Sequence, residues 1–345
     1  MKEKTLQNNI LYLLNPAKGR ACSASAARRP LLCFLALLFI FMECISAFAA
    51  EPEDWNFTAA DGRGALPNDP SPPAVFGSAQ FLPALPKALE GTVRRVNAGE
   101  DKVAALTFDM CELATKTTGC DMETLAVLRK TGTPATLFMG GKWMRTHAER
   151  VMQIMGEPLF EIGSHAWTHG NFGIMSESAM REQIEWTQAV YAALREEFLR
   201  RAALQGGSIA AEPAPALALF RLPYGRCSDR ALEILAGYGL HVIQWDVAAE
   251  TGRNNAALSV AKAALRQIRP GSIVLMHANL VPRGTAKLAE HIIAGLRAQG
   301  FRLVKVSELL TMGEAERTRN GYFVRPGDNL SLDVRFGIDG TGRKR

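Results

Sequence analysis

Between residues 100 and 310 the chain alternates short apolar runs with longer stretches of helical spacing. The apolar runs fall at 103–108, 135–139, 159–162, 217–221, 241–245, 272–276 and 301–305. Runs this short, without polar alternation and bounded by turn residues, predict strands buried on both faces. Helical spacing is predicted over 121–131, 146–156, 176–204, 228–237, 256–269 and 284–299. The longest of these carries Met180, Ile184, Tyr191, Leu194 and Phe198 on one face. Ser176 is placed to cap its N-terminus and Gly206-Gly207 to stop it.

Strands that alternate with helices imply a parallel sheet, either doubly wound or closed into a barrel. No GxGxxG motif follows the first strand, which counts against a dinucleotide fold. Seven such units favour an α/β fold closed as a (β/α)7-type barrel, in the manner of the TIM barrel. Barrels of this kind carry their chemistry at the C-terminal ends of the strands.

The flanks read differently. Arg28-Arg29 precede an apolar run over 31–42, and Ala47-Phe-Ala49 follows. A positive flank, an apolar stretch of about a dozen residues and a small-x-small end describe a secretory signal peptide over 1–49. A membrane span needs about 20 apolar residues, so an uncleaved anchor is the lesser reading. The expectation is an exported protein, periplasmic or extracellular, with no stable membrane insertion after cleavage. Residues 50–99 are rich in Pro and Gly and read as an extended lead-in. Residues 100–312 form the barrel domain, and 313–345 a polar C-terminal tail.

Charge changes little. The formal net charge is +6, but residues 1–50 account for +4 of it, leaving +2 for the rest. No basic stripe with interleaved aromatics appears, so nucleic-acid binding is not expected. Of six cysteines, Cys22, Cys33 and Cys44 lie in the leader, and Cys111, Cys120 and Cys227 remain. Export permits a disulfide among these three, and the spacing does not choose the pair.

Candidate chemistry collects at the predicted strand ends. The first strand ends at Asp109, followed by Met110, Cys111 and Glu112. The third runs into Gly163-Ser-His-Ala-Trp-Thr-His169, which brings His165 and His169. The fourth ends at Arg221, the fifth at Trp245-Asp246, and the sixth at His277. Neutral imidazole is a common metal ligand, and carboxylates beside a metal with a further His form the kit for metal-assisted hydrolysis.

Four of these segments, Leu106-Thr-Phe-Asp109, His165-Ala-Trp-Thr-His169, Arg221-Leu-Pro-Tyr-Gly225 and Leu275-Met-His277, resemble in order and spacing the motifs of the polysaccharide deacetylase family. That is the NodB-like domain of carbohydrate esterase family 4, and the likeness covers roughly 100–310. The resemblance implies a deformed barrel that removes acetyl groups from N-acetylated sugars with a divalent metal, often zinc. It implies Asp109 as catalytic base, His165 and His169 as metal ligands, Arg221 as the residue holding the base, and His277 as general acid. The backbone N–H of Tyr224 would stabilise the oxyanion, and Leu275 would line the acetyl-methyl pocket.

Two positions depart from the family pattern. Where a second Asp is expected as third metal ligand, the chain has Met110, and thioether is a poor ligand for such an ion. Glu112 reaching back is the reading adopted, with a Cys111 thiolate or a two-His site completed by water as alternatives. The expected carboxylate partner of the Arg is also missing after the fifth strand, and Asp246 or Glu250 is a substitute. Asp246 is taken as a substrate contact. The expected activity is metal-dependent N-deacetylation of an N-acetylhexosamine polysaccharide or peptidoglycan, releasing acetate. The alternatives are a catalytically silent carbohydrate-binding relative and a hydrolase of small non-peptide amides.

Overall fold

A computed structural model describes residues 55–74, 79–206, 209 and 211–339. The leader read over 1–49 therefore lies outside the described residues. Ten strands run in chain order: β1 Thr92–Asn97, β2 Val103–Met110, β3 Ala135–Met139, β4 Phe160–Ser164, β5 Leu219–Phe220, β6 His241–Ile243, β7 Val247–Ala248, β8 Ser272–His277, β9 Arg302–Leu303 and β10 Glu314–Thr318. Hydrogen bonding orders them β1-β6-β5-β4-β3-β2-β8, and a single antiparallel bridge between Arg95 and Ser272 returns β8 to β1. The result is the expected α/β barrel, closed by seven strands.

Its membership differs from the pattern reading in one strand. Residues 301–305 add only a short pairing to the outer start of β2, through Val103 with Arg302 and Ala104 with Leu303. Their place in the ring is taken by β1, inside the stretch read as lead-in. Alternation in Thr-Val-Arg-Arg-Val-Asn is broken by an arginine pair and by a register irregularity between Val93 and Arg95, so its periodicity is weak. The tail returns as well, with β10 pairing antiparallel to β1 along its length.

The helices keep closely to local signals. Asp121 accepts from the Thr124 N–H at 3.1 Å and caps the helix Met122–Lys130. Ser176 caps Glu177–Leu204 and Ser228 caps Asp229–Gly237 in the same way. The helix expected over 146–156 is two pieces, Gly141–Thr146 and Ala148–Met155, with His147 between them at φ −114°, ψ 41°. The central strands are apolar and wholly covered: every residue of β2 and β3 is buried. Packing requires a glycine at Gly163 in β4, because a Cβ there would meet the Phe138 ring at 2.7 Å. Without that Cβ the ring is free to lie against the C-terminal strand ends.

Cys111, Cys120 and Cys227 are all free thiols, so no disulfide joins them. Among the described residues no helix is long and apolar enough to cross a membrane.

Candidate active site

Parallel register brings the strand ends together. Asp109 of β2 pairs with His277 of β8, and Ser164 at the end of β4 pairs with Phe220 of β5. Asp109, His165, Arg221 and His277 therefore share the C-terminal rim of the barrel.

Asp109 is buried and its two oxygens have different company. Oδ1 accepts from Arg221 Nη1 at 2.9 Å, and Oδ2 stands 3.4 Å from His165 Nε2. Arg221 is fully buried, and all of its contacts serve to hold it still. It donates to Thr107 Oγ1 at 2.7 Å and to the carbonyls of Ile243 and Gln244 at 3.1 and 2.9 Å. Its guanidinium lies 4.1 Å from the centre of the Phe138 ring that Gly163 makes room for. Backbone carbonyls thus stand where a carboxylate partner was expected.

The two histidines are prepared as neutral donors. His165 Nδ1 is 2.9 Å from the Arg221 carbonyl, so the proton belongs on Nδ1 and the Nε2 lone pair faces Asp109. Burial pulls its pKa down, against the opposing charge of Asp109. His169 is held well below the usual histidine range, first by burial and then by His165 and His277. Its Nδ1 is buried with no hydrogen-bond partner. Its backbone is left-handed at φ 59°, as are Ala166 at 63° and Tyr224 at 58°. For residues with side chains that conformation costs on the order of 1–3 kcal/mol, which the loop sustains to aim the ring.

The third member of the cluster is Cys111. One ligand atom each from Cys111, His165 and His169 lie within 4.8 Å of one another. Without a cation, burial and then the charges of Asp109 and Glu112 push the Cys111 thiol well above its ordinary pKa. A buried ring nitrogen without a partner, an oriented Nε2 and a thiol at one point are a donor set that fits a borderline-soft divalent ion such as zinc.

Glu112 does not join them, contrary to expectation. Oε2 accepts from Lys142 Nζ at 2.7 Å and Thr146 Oγ1 at 2.9 Å, and Oε1 from the Thr118 N–H at 3.0 Å. Glu112 and Lys142 form an ion pair with no side-chain exposure on either partner. Both oxygens are engaged by the loop wall, so the carboxylate is an anchor. Asp246 is also misplaced by the sequence reading. Its oxygens accept from Ser272 Oγ and the Ile273 N–H, both at 2.9 Å, at the start of β8 and far along the strand from His277.

Glu250 pairs with His277 and not with Arg221. Its Oε2 is 2.5 Å from His277 Nδ1, and Oε1 accepts from the His277 N–H at 3.3 Å and from Thr285 Oγ1. Burial works against a charged His277, but Glu250, by charge and hydrogen bond, and Asp109 outweigh it and raise the pKa. The two faces of this end differ. A cavity of about 410 Å³ opens beside His277, lined by Leu275, Ala248, Glu250, Pro282 and Phe323. On the other side Tyr224 sits edge-on to His169 at 4.3 Å and stacks on Phe336 at 4.7 Å. Phe323 and Phe336 come from the polar tail, where only isolated aromatics among charged residues hinted at them. Tyr322, in the same segment, donates its N–H to the Gly225 carbonyl, and a Cβ at Gly225 would meet the Tyr322 carbonyl oxygen at 2.0 Å.

Residues 97–243 match the family model described as polysaccharide deacetylase. Over this segment the chain is similar to the NodB-like polysaccharide deacetylase domain. Such domains are hydrolases of amide C–N bonds. A chitooligosaccharide deacetylase from Rhizobium leguminosarum is 26% identical over 172 residues, 50% of this chain and 68% of that relative. A peptidoglycan-N-acetylglucosamine deacetylase from Listeria monocytogenes is 28% identical over 71% of this chain, but the match spans 45% of the Listeria protein. Among solved structures, a CE4 family pseudoenzyme from Bacillus anthracis superposes with a TM-score of 0.52 at 22% identity, covering 66% of this chain and 72% of that one. At that identity the NodB-like domain and the pseudoenzyme share a fold, and the likeness carries nothing about activity.

Proposed function

We propose that this chain is an exported, metal-dependent N-deacetylase of an N-acetylhexosamine polymer, such as peptidoglycan or another envelope glycan. The observation that carries the reading is one carboxylate, Asp109, locked on one oxygen by Arg221 and open on the other toward His165, across the strand register from a carboxylate-backed His277. A base, a ligand pair and an acid thus converge at one rim of the barrel.

His165 and His169 would hold the metal. Bound there, a divalent ion supplies Lewis acidity toward the amide carbonyl and lowers the pKa of an attacking water. Asp109 takes the water proton on Oδ2, while Arg221 keeps Oδ1 from rotating into its place. The water oxygen bonds to the acetyl carbon, the C–N bond breaks, and acetate leaves. His277 gives its proton to the departing amine, with Glu250 holding the ring by Nδ1 and keeping it charged beforehand. Leu275 lines the wall of the cavity beside His277 and is suited to receive the acetyl methyl. The left-handed turn at Tyr224 supports a role for its backbone N–H in stabilising the oxyanion.

A silent carbohydrate binder has no use for an oriented base and a charged acid in one cleft, so the enzyme reading is preferred. The test is acetate release from N-acetylglucosamine oligomers and from peptidoglycan, with and without a chelator. Release that chelation stops and zinc restores supports the proposal. No release from either glycan by metal-loaded protein overturns it.

A further inference from the structure

The loop after β2 is built to present sulfur to the two histidines. The Cys111 carbonyl accepts from Thr118 Oγ1 and from Asn279 Nδ2, each at 2.9 Å, which fixes the backbone at this residue. Asn279 Nδ2 also lies 3.7 Å from Cys111 Sγ, the kind of N–H contact that supports a ligating sulfur. The next residue, Glu112, is pinned by Lys142, Thr146 and the Thr118 N–H, so the loop cannot swing Cys111 away. Met110, one residue before, is wholly buried at the end of β2. Cys120 and Cys227 are the other free thiols among the described residues, and neither joins the cluster with the histidines.

We infer that Cys111 is the third protein ligand of the metal, as a thiolate, in a Cys–His–His site that selects a thiophilic ion. The inference deepens the proposed deacetylase function and rests on it for the presence of a metal. Zinc-bound sulfur and nitrogen atoms sit roughly 3–4 Å apart, so ligand atoms within 4.8 Å close on one ion by small side-chain adjustments. The metal displaces the thiol proton, leaving an ion with one anionic and two neutral ligands and the same formal charge as a carboxylate–His–His site. Thiolate softness then favours zinc, cobalt or cadmium over magnesium or manganese. With three protein ligands, the ion would keep its remaining coordination for water or the substrate carbonyl.

The test is cobalt(II) substitution of the full chain, followed by electronic absorption, with acetate release measured on the same samples. Wild-type protein is expected to show a near-ultraviolet thiolate-to-cobalt charge-transfer band at one equivalent. Cys111→Ser is expected to lose that band and to weaken zinc on the order of a hundredfold. Cys111→Asp is expected to lose the band but keep a metal, and to accept manganese better than the wild type does. Circular dichroism confirms that each variant is folded. Bound cobalt without the band in wild type, or a band that survives in Cys111→Ser, overturns the inference. The two proposals separate cleanly. A band without acetate release keeps the sulfur ligand and sinks the deacetylase, whereas acetate release without a band does the reverse.

Discussion

Asp109 and Glu112 are buried carboxylates three residues apart in one segment, and they do opposite jobs. Each is held by a buried cation, Arg221 for Asp109 and Lys142 for Glu112. The difference lies in what is left over. Glu112 has both oxygens engaged, by an ammonium, a hydroxyl and a backbone N–H. Asp109 has one oxygen engaged and one turned toward His165. Burial and charge pairing alone would pick out either as the reactive group. Reactivity needs an oxygen that the fold has left free of donors, and of the two carboxylates Asp109 has one.

The sharpest way to break that contrast is to neutralise each carboxylate in turn. Asp109→Asn keeps the shape and the Arg221 contact but removes the base, so turnover should fall by about 10³-fold with metal content unchanged. Steady-state acetate release beside metal analysis measures it, and turnover within tenfold of wild type would remove Asp109 from the base role. On the Glu112 side the effect should appear in stability. Lys142→Met strands a buried carboxylate and should cost about 3–5 kcal/mol in chemical denaturation. Adding Glu112→Leu should recover most of that loss, and a double variant as unstable as the single would show that the pair is more than an anchor.

A second carboxylate pair, Asp246 and Glu250, sharpens the comparison further. His277 is needed protonated and its pKa is raised, so activity should persist until the pH passes that raised value and then fall. Glu250→Gln removes the charge that lifts it and should lower kcat about 10–100-fold while moving the alkaline limb to lower pH. A limb that stays where it was in the variant would take Glu250 out of this role. Asp246→Asn is the smallest effect expected, with kcat/KM within about twofold of wild type, because its oxygens face Ser272 and Ile273 at the other end of β8. A large loss of turnover there would restore Asp246 to the substrate site.

Much of the site was legible along the chain. Asp109, His165, His169, Arg221 and His277 stand at strand ends that apolar runs announce, and parallel pairing carries every such end to one rim. Ser176 placed the start of the longest helix to within a residue. Those features are local, because a buried strand and a helix cap are each written within a few neighbouring residues. Other features depended on distances the sequence does not encode. Thr92–Asn97 joins the ring although its own pattern is irregular, because β6 and β10 supply its partners from about 150 and 220 residues away. Phe323 and Phe336 reach the site only because the tail folds back over Gly225.

The choice among neighbouring polar residues was the part that composition and spacing left open. Cys111 and Glu112 are adjacent, and both have the chemistry of a ligand. Asp246 and Glu250 flank β7, and both have the chemistry of a partner for a cation. The sequence by itself determined the barrel, the order of its strands' reactive ends and the family it resembles, because these arise from periodicity and from residues fixed to strand termini. Only the tertiary structure decided which carboxylate is saturated and which is open. That depends on where Lys142, Thr146, Ser272 and Thr285 arrive from elsewhere in the chain, and a carboxylate's role is set by the donors left around it after folding.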